Sequence, residues 1–458
     1  GSPAYNNSWN VNLHYRAALS YITGSHQFKV GFNNAWGHHE NTAYHDSSPY
    51  SYLFSGYKPA AIREWASPYT TQVDVDADLG VYAQDKWTVG RATITGAIRY
   101  DYFANSYPAQ TLGPGPNVPN RNVVFDAGTY DPSTGLLRPG GIPNGKSIPN
   151  LSWHDITPRL GLTYDLFGNG KTAIKTSLNK YLVGLGTFSF FETNNVTSAN
   201  NPINRLANTA TRNWTDSGNA ADPVLGIPGG GIAGDFVPQC DLIRVDANGE
   251  CGPLGNPNFG SVQAPTTTYD SDYLTGFGKR FNNWEFSLGV EQELAPRMSV
   301  AVSYFRRWYG NFPLNDNTAY SAADFGVTSI VAPTDPRMPD GGGQTLNGVY
   351  YLLPPAGPPK ADSFRITLLD DTVGKRTEQW DGFDFNVNAR LRNGVTLLGG
   401  VSTGRTLTDN CDLVKNPQLA ELNAVGAGIG ALAGFINAYN APFFASVPQD
   451  FCHRNEGF

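Results

Sequence analysis

The chain has 458 residues, enough for one large domain or several smaller ones. Charged residues are only 16% of it and the net charge is -7, which argues against the basic face a nucleic-acid partner requires. Aromatic residues at 12%, 51 Gly, 32 Pro and a mean hydropathy of -0.34 suit strands joined by long polar loops rather than a bundle of membrane helices.

The opening GSPAYNNSWN is polar, without the basic start and apolar centre of a leader, so the sequence reads as mature, trimmed or partial. Period-2 alternation then begins. VNLHYRAALSYIT sets Val11, Leu13, Tyr15, Ala17, Leu19 and Tyr21 against Asn12, His14, Arg16 and Ser20. HQFKVGFNNAW follows after a tight turn. VDVDADLGVYAQDKW places Val73, Val75, Ala77, Leu79, Val81 and Ala83 opposite Asp74, Asp76 and Asp78. RATITGAIRYDYF, ITPRLGLTYDLF and KTAIKTSLNKY continue the pattern. WEFSLGVEQELAPRMSVAVSYFRRWYG sets Trp284, Phe286, Leu288 and Val290 against Glu285, Ser287, Glu291 and Glu293. FDFNVNARLRNG carries Arg390 on its polar side, and VTLLGGVSTGRTL comes last. With a weaker pair at Tyr50–Gly56 and Ile62–Ala66, the expectation is about twelve strands, most of them about ten residues or longer.

The connections alternate in length. Thr23–His26, Val89–Arg91, Gly168–Gly170, Ala295–Arg297 and Arg392–Gly394 are tight turns. Between the hairpins run long linkers, roughly from Ala104 to Asp155, Leu182 to Asn282, Asn311 to Gln379 and from Thr406 onward. Long structureless loops are uncommon in compact soluble domains, whereas outer-membrane barrels pair short periplasmic turns with long outer loops. The expected fold is therefore an all-β, antiparallel transmembrane β-barrel, with apolar faces toward lipid and a polar lumen lined by Asp74, Asp76, Asp78, Glu285, Glu291, Glu293 and Arg390. Trp87, Phe103, Phe167, Tyr181, Trp284 and Trp308 near strand ends are candidates for interfacial girdles.

Several of these segments carry a resemblance. LGVYAQDKWTVGRATITGAIRYDYF resembles a barrel hairpin of TonB-dependent receptors, in which a Tyr-Ala-Gln-Asp-x-Trp strand leads into an Arg-Tyr-Asp strand. WHDITPRLGLTYDLFGNGKTAIKTSLNKY looks like the hairpin that follows. NWEFSLGVEQELAPRMSVAVSYFRRWYGNF and GVSTGRTLTDNC resemble the Oar-like group, whose members carry a carboxypeptidase-regulatory-like domain before the plug. The likeness extends from Asn10 to Cys452 and is weaker in the loops. It implies a barrel of about twenty-two strands in the bacterial outer membrane, a plug and a TonB box upstream. Residues 1–458 are then expected to be an internal part of the barrel domain, without the plug and without the C-terminal strands. DFCHRNEGF ends in Phe458 but lacks the alternation of a closing strand.

Chemistry-bearing motifs are few. No nucleophile elbow, His-Glu-x-x-His or phosphate loop occurs, so no enzyme is expected and no resident cofactor is required. The four cysteines fall into two local pairs, Cys240 with Cys251 and Cys411 with Cys452, which suit disulfides in an oxidising compartment. GDFVPQCDLIRVDANGEC offers Asp235, Asp241, Asp246, Asn248 and Glu250 as hard oxygen donors for Ca2+, with a disulfide-pinned acidic loop as the other reading. GHHENTAYHD groups His38, His39, Glu40, His45 and Asp46, but neighbouring strand positions point to opposite faces, so His38 and His39 do not readily share a metal. GIPGGGIAG reads as a flexible loop, and the Ala/Gly-rich Ala424–Phe444 as a short loop helix rather than a membrane span.

The leading function is energy-coupled import of a bulky, scarce substrate, a small molecule, glycan or peptide, with outer-membrane lipid and the TonB complex as partners. Trp214 and Tyr350 are aromatic loop candidates for stacking on a sugar. The alternatives are an adhesive or structural outer-membrane barrel and a soluble all-β carbohydrate-binding protein.

Overall fold

The computed structural model describes residues 5–45, 50–125, 130–131, 136–137, 148–184, 201–218, 233–265, 267–337, 341–353, 363–368, 374–391, 394–419 and 452–457. One antiparallel sheet forms the wall. Its strands are β1 (Tyr5–Thr23), β2 (His26–Tyr44), β3 (Tyr69–Val89), β4 (Ala92–Tyr107), β5 (Ile148–Asp165), β6 (Thr172–Leu182), β7 (Asn282–Ala295), β8 (Met298–Gly310), β9 (Thr377–Arg390), β10 (Thr396–Asp409) and the short β11 (His453–Gly457). Each pairs with the next in chain order, and β1 and β11 end the row. The short strand Thr275–Phe277 adds in parallel beside β5. The expected pair near Tyr50 does form, as Tyr50–Ser55 and Lys58–Trp65, but it joins Thr209–Asn213 in a separate three-stranded sheet and is not part of the wall.

The tight turns lie at one end of the wall. Gly24 and Gly90 take positive φ, 54° and 55°, which lets the chain reverse within a hairpin at little steric cost. Between β5 and β6 the Asp165 carboxylate accepts hydrogen bonds from the backbone N–H groups of Gly168 and Gly170, 3.0 and 2.9 Å, and so closes that turn from the strand end. No helix among the described residues is long and apolar enough to cross a membrane.

Register assigns the faces. Opposed residues on antiparallel strands share a face, and pairing links Leu19, Val30, Ala83 and Ile98 into one row. Farther along, Leu178, Phe286, Leu288, Val290, Val302, Phe383, Phe385 and Val401 lie on that same apolar side. These side chains have no core behind them: Leu19 is 69% exposed and Val401 67%. A face this apolar and this continuous is unlike the surface of a soluble monomer and matches the lipid-facing band of a barrel. Trp284 stacks on Trp308 across β7 and β8, 6.4 Å between centroids, and Trp87 stacks on His26 near the turns. Phe103 and Tyr181, expected in a girdle, sit on the polar side instead; Phe103 is fully buried there.

One bulge changes the reading of β3. Three steps of β3, from Val75 to Asp78, oppose two steps of β2, from Gly37 to Ala35, and the β3–β4 register shifts at the same place. The extra residue reverses the alternation. From Leu79 to Val89 the odd residues lie on the apolar face. Before the bulge Val73 and Val75 turn to the other face and are buried there.

The buried residues gather at the end opposite the turns. Val75, Phe103, Leu151 and Trp153 of the wall pack with Tyr273 and Ile366 from two connections. Val73 and Tyr107 pack with Leu112, Phe125, Ile203 and Leu206. Ile62, Trp214 and Cys251 form a third cluster, and Leu314, Leu413, Val414 and Leu419 a fourth. The long connections are thus not structureless; they have small cores of their own and fold against the polar side of the wall.

Candidate functional site

The polar face carries several paired charges. Arg99 donates from Nε to Asp101 and from Nη1 to Asn33, both 2.6 Å, and Thr157 donates to the same aspartate at 2.9 Å. The Arg99 guanidinium lies across Gly80, where any Cβ would come within 1.7 Å of it. Lys175 bonds Glu291, and Glu285 pairs with Arg307. Glu293 opposes Ser299, Arg390 opposes Thr396, and Asp78 opposes Phe103, all on this face.

Asp74 and Asp76 depart from expectation. The bulge moves them to the side that carries Trp9 and Trp36. There the Asp74 carboxylate meets His38 Nδ1 at 2.6 Å and Asp76 accepts from Ser106 at 2.9 Å. An extra strand residue leaves no trace in an alternating sequence, so the run Asp74-Val75-Asp76-Ala77-Asp78 reads as one stripe when it is two. His38 and His39 do face opposite ways: His38 packs on Trp9, while His39 bonds Asn10. Among the described residues no group of three or more His, Cys, Asp or Glu is placed to hold a metal ion.

Above the wall, the sheet of Tyr50–Ser55, Lys58–Trp65 and Thr209–Asn213 packs against residues 233–254. The Cys240–Cys251 disulfide ties that segment together, and Cys411–Cys452 joins the end of β10 to the start of β11. The oxygens proposed for Ca2+ hold backbone. Glu250 accepts from Trp214 Nε1 and from the N–H groups of Ser217, Gly218 and Gln239, at 2.7 to 3.2 Å. Asn248 bonds the N–H and the C=O of Asp241, Asp241 accepts from Ile243, and Asp235 accepts from Val237. Such side-chain-to-backbone bonds two residues on are how Asp and Asn fix turns, which accounts for their spacing here. Asp246 lends only its backbone carbonyl, to Asn248.

Beneath this segment Arg212 and Glu64 form an ion pair at 3.0 Å with both side chains fully buried. Arg212 also donates to the carbonyls of Asp241 and Arg244. Burial, partly offset by Arg212, raises the Glu64 carboxyl to about 7. Trp214 is 1% exposed and cannot stack on a ligand; Tyr350 is half-buried on the hairpin of Phe325–Val331 and Thr345–Leu352. Ala424–Phe444 and most of GIPGGGIAG lie outside the described residues.

Three connections are drawn over the polar face. Trp153 donates from its indole to the Tyr273 carbonyl at 2.9 Å, and the Arg280 guanidinium covers both Phe103 and Trp153. Arg121 gathers the carbonyls of Gly113, Ala66 and Pro68. The sequence shows neither feature, because such contacts are long-range and follow no period.

A search of curated proteins finds no match. Among solved structures the chain is similar to the outer membrane transporter YddB from Escherichia coli, at 12% identity and a TM-score of 0.37, over 88% of this chain and 33% of that one. It is similar to the siderophore receptor PiuA from Acinetobacter baumannii at 9% identity and a TM-score of 0.34, over 88% of this chain and 45% of that one. The chain thus spans less than half the length of either protein. The family described as outer membrane beta barrel domain matches residues 1–416, and the chain belongs to that family and to the outer membrane.

Proposed function

We propose that the chain is part of the wall of a TonB-dependent receptor of the Oar-like group. It receives a bulky, scarce substrate at its loop end and imports it with energy from the TonB complex. The observation that carries this reading is the placement of the folded connections. They pack on the polar side of the wall, through Phe103 and Trp153, rather than projecting away from it. A ligand held among them lies directly above a polar, charge-lined passage. The remaining strands and the plug belong to the rest of a barrel of about twenty-two strands. On this reading the protein binds and translocates, and makes or breaks no bond.

The test is uptake by the parent organism with and without the gene, from a panel of metal chelates, oligosaccharides and peptides. Gene-dependent uptake that stops when a protonophore collapses the inner-membrane potential supports the proposal. Gene-dependent surface attachment with no uptake of any class supports the adhesive alternative, which the braced, disulfide-tied loop sheet favours.

A further inference from the structure

At the loop end of the wall, β6 to β9 enclose a groove of about 440 Å³, within the size range of small-ligand sites. Trp380 is its platform. The indole lies flat across the sheet because Gly382 and Gly404 leave room for it; a Cβ on either would come within 2.3 and 2.7 Å of ring carbons. Gly382 is buried beneath it. Trp380 opposes Arg307 in register and so lies on the polar face.

The remaining lining is polar or aromatic: Ser177, Asn179, Tyr181, Phe305 and Asp384. Ser177 bonds Ser287 at 2.7 Å and Asn179 leans on Ser177 at 3.3 Å. Asp384 has no hydrogen-bond partner among the described residues. Glu285 is paired with Arg307, while the Arg306 side chain turns to the other face, where it meets Gln379 and Asp381, so Asp384 leaves the groove slightly negative. An anionic metal chelate is repelled by such a site. A flat π-face attracts the polarised C–H groups of a pyranose ring through its quadrupole. A neighbouring carboxylate and amide suit paired hydroxyls.

We infer that this groove binds a neutral hexose or pentose unit of an oligosaccharide, stacked on Trp380 and hydrogen-bonded by Asp384 and Asn179. The inference rests on the reading of the polar face as a substrate passage and names the substrate class.

The test uses the full-length protein, purified from outer membranes in detergent. Tryptophan fluorescence and calorimetry are read against α- and β-linked glucan, xylan and mannan oligosaccharides, with a ferric hydroxamate and a tetrapeptide as controls. At least one oligosaccharide is expected to bind. Trp380→Ala is expected to weaken it tenfold or more, Trp380→Phe less, and Asp384→Asn several-fold. Asp384→Asn keeps the shape of the wall and serves if Trp380→Ala fails to assemble. Binding of no oligosaccharide in the panel, or binding unchanged by both Trp380→Ala and Asp384→Asn, overturns the inference. Uptake of a chelate or peptide without oligosaccharide binding overturns the inference alone. Oligosaccharide binding lost in these variants, without gene-dependent uptake, upholds the groove and overturns the transport reading.

Discussion

The wall and the loop sheet above it obey opposite rules of burial. On the wall, Leu19, Val30, Leu288 and Val401 point outward and are exposed over much of their surface. In the loop sheet, Ile62 and Trp214 are sealed, with Glu64 and Arg212 sealed beside them. The same residue types serve two solvents. Hydrocarbon accepts apolar side chains on the outside of the wall, where water would exclude them. The loop sheet meets water and builds a small core as a soluble domain does. The wall therefore draws its stability from backbone pairing and lipid, and the loops from packing and cross-links.

The sharpest test of that contrast is Trp214→Ala. Removing a sealed indole that also bonds Glu250 is expected to cost about 3–5 kcal/mol in the loop sheet. Limited proteolysis near residues 233–254 reads the loss, while heat-modifiable gel mobility, which reports the wall, stays unchanged. Collapse of both together would mean that the two regions fold as one unit.

Val302→Arg tests the other side. A cation on the lipid face near the bilayer midplane costs about 2–4 kcal/mol and less toward the interfaces. Urea midpoints in lipid vesicles are expected to fall for Val302→Arg but not for Ala301→Arg, whose side chain emerges on the polar face opposite Glu291. Equal effects would place lipid on neither face.

A smaller effect follows from Glu64. Its carboxyl is raised from 4.5 to about 7 in the folded state, so the folded loop sheet holds a proton that the unfolded segment has released. The resulting stability is fully present below about pH 4.5 and is lost as pH rises through about 7. Trp214 fluorescence during urea titration at several pH values is expected to show that fall, and Glu64→Gln to flatten it. The least effect belongs to Arg337→Ala. The Arg337–Asp335 pair stands in solvent, and surface pairs contribute little, so thermal unfolding should not move outside experimental scatter.

Much of the wall was legible because side-chain alternation and strand pairing share a period of two. Each long strand stands where its alternating run stands, and the turns at Gly24, Gly90 and Gly168–Gly170 carry the glycines such reversals need, while Arg297 itself takes the positive φ between β7 and β8. Three kinds of feature were not legible. The bulge at Asp76 adds a residue without breaking the run of Val and Asp. The packing of Tyr273 and Ile366 on Phe103 joins residues far apart in sequence. The third is Trp380, which alternation places beside the charges of β9 without showing that it lies down over two glycines. A tryptophan flanked by polar-face glycines two residues along the strand and across the neighbouring one is the signal that could have found it.

The bulge in β3 also bears on how such a protein changes over generations. From Leu79 to Val89 every residue is committed to one of two solvents, and one inserted residue there would turn the lipid stripe inward. At Asp76 that phase has already been reset once. Residues added or lost on the loop side of it leave the lipid stripe in step. The loop end can therefore vary in length and chemistry, and acquire new ligands, while the span below retains its fit to the bilayer.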